Sequence, residues 1–216
     1  MSKMKGRIFM RKSGLNAGKC LRIISEPFKG PCKDQNKLLV KIQWIGSTVK
    51  WNFPLSLFVN SERFQEVVPT VTPLRKQDLK NVTLMDNESG FHVSQQVRDL
   101  CDNEFNDYSW GLYLGGVLIG YCTIGYADDV PETIENHPAY VDDCYLLSDV
   151  YVCPSYRNLG YGLKMIKEVI ENRWSSEEKL PVFLECFDDR VQSFYRKAGF
   201  SRVEDKTDLS CMVLEP

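Results

Sequence analysis

Hydrophobic and polar positions change their period along this 216-residue chain, and the change divides it. At the start the apolar positions come in short β-type runs, over residues 6–11, 19–24, 38–45 and 48–53, with a fifth strand predicted at 57–60. Polar breaks at 13–18, 26–36 and Gly46-Ser47 separate them. Leu38, Val40, Ile42 and Trp44 alternate with Lys41 and Gln43, the period of a half-buried strand. Short strands this closely spaced predict closure into a small barrel, which removes exposed edges.

Residues 67–73, VVPTVTP, read as a connector because two prolines restrict them. Beyond it helix and strand alternate. Residues 93–105 have helical apolar spacing, and 111–114 with 117–126 form a hairpin turned by Gly115-Gly116. An acidic loop over 128–143 precedes a strong strand at 145–152. Residues 162–174 are an amphipathic helix with Leu163, Ile166, Val169 and Ile170 on one face. A strand at 181–187, a helix at 189–198 stopped by Gly199, and a strand pair over 201–214 complete the chain. Two domains are expected, 1–66 and 71–216.

Composition supports a globular protein with 43% apolar and 26% charged residues. Charge sharpens the division. Residues 1–60 hold twelve Lys or Arg against two acids, Glu26 and Asp34, a balance of +10. The remaining residues hold 15 basic and 27 acidic side chains, a balance of −12. Two modules with different partners are implied. None of the eight cysteines forms a C-x-x-C pair, and His92 and His137 are too isolated to ligate a metal. No apolar leader or membrane-length segment is present, so a reducing cytoplasmic setting without membrane contact is expected.

The chemistry concentrates on Arg157-Asn158-Leu159-Gly160-Tyr161-Gly162, followed by Leu163. A strand, a glycine loop and a helix start place the amides of 158–163 at the positive end of the helix dipole, worth about half a unit charge. Such a site favours phosphate or pyrophosphate, and Arg157 adds positive charge. Gly160 and Gly162 let the backbone approach a ligand. The loop is neither a Walker loop, since Leu163 follows Gly162, nor a G-x-G-x-x-G fingerprint.

YLLSDVYVCPSYRNLGYGLKMIKEVI resembles the central motif of the GNAT N-acetyltransferases, with Val152, Pro154, Tyr156, Arg157, Gly160 and Gly162 matching. A second family motif is matched by Ser193-Phe194-Tyr195-Arg196-Lys197-Ala198-Gly199-Phe200. SDVYV and FYRKAGF are locally similar to the diamine (polyamine) acetyltransferases. The resemblance implies an α/β (α+β) GNAT acyl-CoA acyltransferase fold with a central mixed sheet. The small all-β module before it looks like an SH3-like barrel of the KOW or Tudor kind.

Acetyl-CoA as co-substrate, and no metal, is the corresponding implication. Val150, Tyr151 and Val152 would offer backbone groups to the pantetheine arm and acetyl carbonyl. Residues 157–163 would cradle the pyrophosphate. Tyr195 matches the tyrosine that gives a proton to the departing thiolate; a phenol's pKa is near 10. Asp188 stands where many relatives carry an Asn touching the CoA arm.

The amine must lose a proton before attack, and Asp149 is the nearest acid on the central strand. Relatives often carry that acid at the position of Ser148, and neighbouring strand residues face opposite sides, so whether Asp149 reaches the substrate directly stays open. A base acting through water held by Asp149 or Asp143 stays open. Asp128, Asp129, Asp142 and Asp143, with Glu132 and Glu135, would concentrate a cationic acceptor such as a polyamine or lysine. The basic module, with Trp44, Trp51, Phe28 and Phe53, suits nucleic acid or an acidic protein surface. A second copy of the chain is a further admissible partner. Two readings stand: an N-acetyltransferase, or a binding protein whose GNAT-like domain has weak or no activity.

Overall fold

The computed structural model describes residues 5, 7–11, 20–23, 28–29, 38–54, 58, 64–95, 97, 108–127, 132–135, 137–138, 140, 143–186, 188–203 and 210–216. They form two compact units. One comprises Met1–Pro69, Leu114–Gly116 and Pro154–Tyr156; the other comprises Thr70–Tyr113, Val117–Cys153 and Arg157–Pro216.

The first unit is an antiparallel sheet of β1 (Ile8–Arg11), β2 (Cys20–Ile23), β3 (Phe28–Lys29), β4 (Leu38–Trp44), β5 (Lys50–Pro54) and β6 (Phe64–Glu66). Its order is β3-β4-β2-β1-β6, and β5 also pairs with β4. The length of β4 lets it pair β3 at Leu38 and Leu39, β2 over Ile42 to Trp44, and β5 over Leu39 to Gln43. Phe9, Leu21, Ile23, Ile42, Phe58 and Phe64 fill the core. Of the strand expected at 57–60, residues 57, 59 and 60 lie outside the described residues, and Phe58 sits in a turn with its ring 5.1 Å from Phe9 and 5.0 Å from Phe64. An apolar side chain can serve a core from a turn, and the pairing strand beside β1 is β6. A short strand, β3, also lies inside the break expected at 26–36.

The second unit is a mixed sheet with helices. Its strands are β7 (Pro69–Pro73), β8 (Ser109–Leu114), β9 (Val117–Tyr126), β10 (Tyr145–Val152), β11 (Val182–Cys186), β12 (Ser201–Arg202) and β13 (Ser210–Leu214). The helices are α1 (Leu79–Ser89), α2 (Glu132–Glu135), α3 (Tyr161–Ser176) and α4 (Asp189–Ala198). The order is β12-β13-β11-β10-β9-β8-β7, with β10 and β11 parallel and β9, β10 antiparallel. Gly115 and Gly116 are both left-handed, as a tight hairpin turn requires. Residues 69–73, expected as a connector, are the edge strand beside β8; an edge is where a sheet tolerates proline. Of the helix expected at 93–105, residues 93–95 and 97 are helical and 98–105 lie outside the described residues.

The buried stripe of α3 is Tyr161, Met165, Ile166, Val169, Ile170 and Arg173, and the helix packs on β9, β10 and α4. Leu163, expected on that face, is only half-buried. Each apolar side chain in the stripe contributes about 1.5–3 kcal/mol by burial. The stripe therefore fixes where the helix begins relative to the end of β10.

Candidate active site

Strand β10 keeps its antiparallel register with β9 as far as Val152. Its parallel register with β11 covers only Tyr145 and Leu146, opposite Val182 and Phe183. Among the described residues the two strands part after that. Peptide groups of the 147–152 stretch that face β11 have no strand partner there. Buried peptide groups need partners, so such a gap is a place for a ligand's own polar groups.

The pairing of β10 with β9 is interrupted once. Ser148 opposes Thr123 and Tyr151 opposes Tyr121, so Asp149 and Val150 face the single residue Cys122. This is a β-bulge. Asp149 carries it with a left-handed φ of 52°. The strict alternation expected at Ser148 and Asp149 is thereby broken: both side chains reach Thr123. Thr123 Oγ1 donates to Asp149 Oδ2 at 3.1 Å and lies 2.6 Å from Ser148 Oγ. A hydroxyl has one hydrogen, so Ser148 is the donor to Thr123. The Asp149 carboxyl is half-buried and pushed up from its usual range, chiefly by burial. The Thr123 hydrogen bond opposes the shift, the charge of Asp86 adds to it, and His92 opposes it.

Beyond Val152 the chain turns into α3. Asn158 and Gly160 are left-handed at φ 60° and 82°. Gly160 is the N-cap of α3, no side chain caps the helix, and Lys164 donates to the Gly160 carbonyl at 3.0 Å. The amides of Tyr161, Gly162 and Leu163 thus open the helix's positive end. Leu159 is half-buried beside them. Arg157 Nε donates to the Val152 carbonyl at 2.7 Å, and its guanidinium lies 5.3 Å from the Tyr151 ring centre. The arginine ties the loop to the strand end.

The two loop glycines do different things. A Cβ on Gly160 would meet nothing within 4 Å, so its glycine answers to the backbone angle. A Cβ on Gly162 would stand 3.1 Å from the Phe194 ring. Gly162 also makes room for the Phe194 ring of α4.

Tyr195 lies on α4, 7% exposed, between Phe194 at 5.1 Å and Phe200 at 5.7 Å. Among the described residues its hydroxyl has no hydrogen-bond partner. Burial, with smaller contributions from Cys186 and Cys122, raises its pKa above the ordinary phenol value. Cys122 also feels Asp149, so that thiol lies within electrostatic reach of both groups. Asp188 is exposed and caps α4 by accepting the Arg190 amide at 2.7 Å.

Asp143 is exposed, and Asp128, Asp129 and Asp142 lie outside the described residues. His92 is exposed, and His137 packs edge-on against Phe183. Among the described residues no cluster of metal-ligating side chains occurs. The structure therefore groups Ser148, Asp149, Tyr151, Val152, Arg157 and the start of α3 around the end of β10. Thr123, Tyr121, Asp86 and His92 belong to the same neighbourhood, and sequence reasoning missed them. Thr123 had one signal, a hydroxyl inside the apolar run of β9; Asp86 had none.

Residues 77–200 match the Acetyltransferase (GNAT) family. In fold the chain is similar to the Bacillus subtilis N-acetyltransferase YlbP in complex with coenzyme A, at 16% identity over 69% of this chain and 97% of that one, TM-score 0.50. It is similar to a ribosomal-protein-alanine N-acetyltransferase from Brucella melitensis, at 16% identity over 68% and 99% of the chains, TM-score 0.51. It is also similar to Arabidopsis thaliana NAA60 in complex with acetyl-CoA, at 14% identity over 68% and 98%, TM-score 0.53. No curated protein matches the chain in sequence.

Proposed function

Because the chain belongs to the acetyltransferase (GNAT) family, we propose that it moves an acetyl group from acetyl-CoA to a primary amine by direct attack in a ternary complex. The observation that carries this reading is the parting of β10 from β11 next to the uncapped start of α3. It leaves peptide groups and helix amides unsatisfied side by side, which suits a long ligand with an anionic end and amide groups along its arm.

Bound acetyl-CoA supplies the thioester that the amine attacks. The amides of 158–163 and the helix dipole take the pyrophosphate, with Arg157 holding the loop in place. Backbone groups of Val150, Tyr151 and Val152 take the pantetheine arm, and Asp188 orders the start of α4 at the same end. Asp149 Oδ accepts a proton from the ammonium of the acceptor. Its carboxyl has one oxygen held by Thr123 and a proton affinity raised by burial, which favours taking up a proton. Tyr195 Oη gives its proton to the leaving sulfur.

The acceptor is a cationic amine, on a polyamine-like small molecule or a lysine, drawn by Asp128, Asp129, Asp142 and Asp143. The local likeness of SDVYV and FYRKAGF to diamine acetyltransferases supports the small-molecule choice. The domains are taken as 1–66 and 71–216, the first an SH3-like module. Its +10 balance favours a second reading, in which that module binds nucleic acid or an acidic protein and the GNAT domain is weakly active. A cytoplasmic chain, alone or as a homodimer, fits the thiols of Cys20, Cys122, Cys144 and Cys153. No helix among the described residues is long and apolar enough to cross a membrane.

The test is thiol release from acetyl-CoA across a panel of polyamines, lysine peptides and α-amino peptides. Amine-dependent release that falls in Tyr195→Phe supports the enzyme reading. Nucleic acid binding that survives the substitution, with no release from any amine, supports the second.

A further inference from the structure

Asp86 on α1 is 5% exposed, and among the described residues no Lys or Arg pairs with it. Both its oxygens are engaged by neutral donors. The Tyr121 hydroxyl donates to Oδ1 at 3.0 Å, and the Ser94 amide donates to Oδ2 at 2.7 Å. A buried carboxyl is costly unless its oxygens are hydrogen-bonded, and these two donors hold it in place.

What it holds is set by Tyr121. That side chain is wholly buried, its hydroxyl also lies 3.1 Å from the Ser89 hydroxyl, and its ring stacks on Tyr151 at 5.6 Å and 25°. Tyr121 opposes Tyr151 at one end of the bulge, and Thr123 opposes Ser148 at the other. One short piece of β9 therefore holds Asp86 through Tyr121 and Asp149 through Thr123. A left-handed non-glycine residue is strained and persists only where its surroundings over-determine it. The stacked ring and the Thr123 hydroxyl grip the bulge from both ends.

We propose that Asp86 is a positioning residue for amine deprotonation: through Tyr121 it holds the β10 bulge that presents Asp149. The inference rests on Asp149 being the base. The groups facing Asp149 are Thr123, Cys122 and Tyr121 from β9, Asp86 from α1, His92 beyond that helix, and Ser148 on its own strand. Of these, Asp86 makes proton loss harder and His92 makes it easier.

A base must be unprotonated to act, so kcat/KM rises with pH through the Asp149 titration. Removing the Asp86 charge eases that ionisation and moves the rise to lower pH. The experiment compares the full-length protein with Asp86→Asn and Tyr121→Phe by two readouts. One is the pH profile of kcat/KM for the acceptor amine; the other is the carbon-13 NMR titration of the Asp149 carboxyl without substrate. In Asp86→Asn both midpoints move to lower pH. In Tyr121→Phe, which keeps the ring and strips one donor from the Asp86 charge, both move to higher pH. A merely structural role alters the melting temperature and leaves the midpoints in place, and that result overturns the proposal. Should Asp86→Asn fail to fold, the sign of the Tyr121→Phe shift decides. An NMR midpoint that moves while the kinetic one does not overturns Asp149 as the base, and the positioning role with it.

Discussion

Gly162 and Phe194 meet so closely that a Cβ on the glycine would stand 3.1 Å from the aromatic ring. The contact joins the 157–162 loop to the helix bearing Tyr195, the residue next to Phe194. Gly162→Ala pushes that ring aside and costs about 1–3 kcal/mol, the usual range for overpacking. Gly160→Ala clashes with nothing but holds alanine at φ 82°, costing about 1–2 kcal/mol. Thermal unfolding measures both costs. Only Gly162→Ala is expected to lower kcat through Phe194 and Tyr195; Gly160→Ala weakens acetyl-CoA binding.

Tyr195→Phe removes a hydroxyl that no described residue holds, so stability is unchanged or slightly higher. If Tyr195 is the proton donor, kcat falls by about 100-fold or more, while acetyl-CoA affinity stays within about twofold. Burial raises the phenol's pKa above its ordinary value, so Tyr195 produces no alkaline fall in rate below pH about 10. Steady-state kinetics and a cofactor titration on one preparation separate the two effects.

Asp149→Asn abolishes the acid limb of the kcat/KM profile and lowers its plateau. Its effect on stability has the opposite sign. The folded-state pKa of Asp149 lies above the unfolded value, so its contribution to stability is present at low pH and lost as pH rises through the folded pKa. Relative to wild type, the Asn variant therefore melts higher at neutral pH, and the gap closes as the pH falls toward the unfolded carboxylate range. Melting curves across pH check this.

Asp188→Ala removes the cap of α4 and costs about 1 kcal/mol, whereas Asp188→Asn, another good capping residue, costs a few tenths. Equal losses in the two would show that the carboxylate charge, and not the cap, matters.

The features legible in sequence were those carried by local chemistry. Gly115-Gly116, Gly160 and Gly199 marked turns and helix ends because left-handed backbone selects glycine, and the alternation around Ile42 marked β4. What escaped depended on partners distant in the chain. A one-residue slip between β10 and β9 decides where Asp149 points, and no pattern within YLLSDVYV reveals it. Asp86 looks like any helix surface acid until Tyr121 and Ser94 enclose it. Pro69 and Pro73 suggested a connector because proline excludes central strands, yet it is compatible with the edge position of β7. The apolar triplet around Phe58 has no period of its own, so its sequence does not separate strand from turn.

The central claim is that the parted end of β10 and the open start of α3 form an acetyl-CoA site. Calorimetric titration of the full-length protein with acetyl-CoA tests it most directly. Saturable one-to-one binding, competed by CoA and weakened by Gly160→Ala, is the predicted result. Absence of binding by a folded protein, or binding that Gly160→Ala leaves untouched, would contradict it.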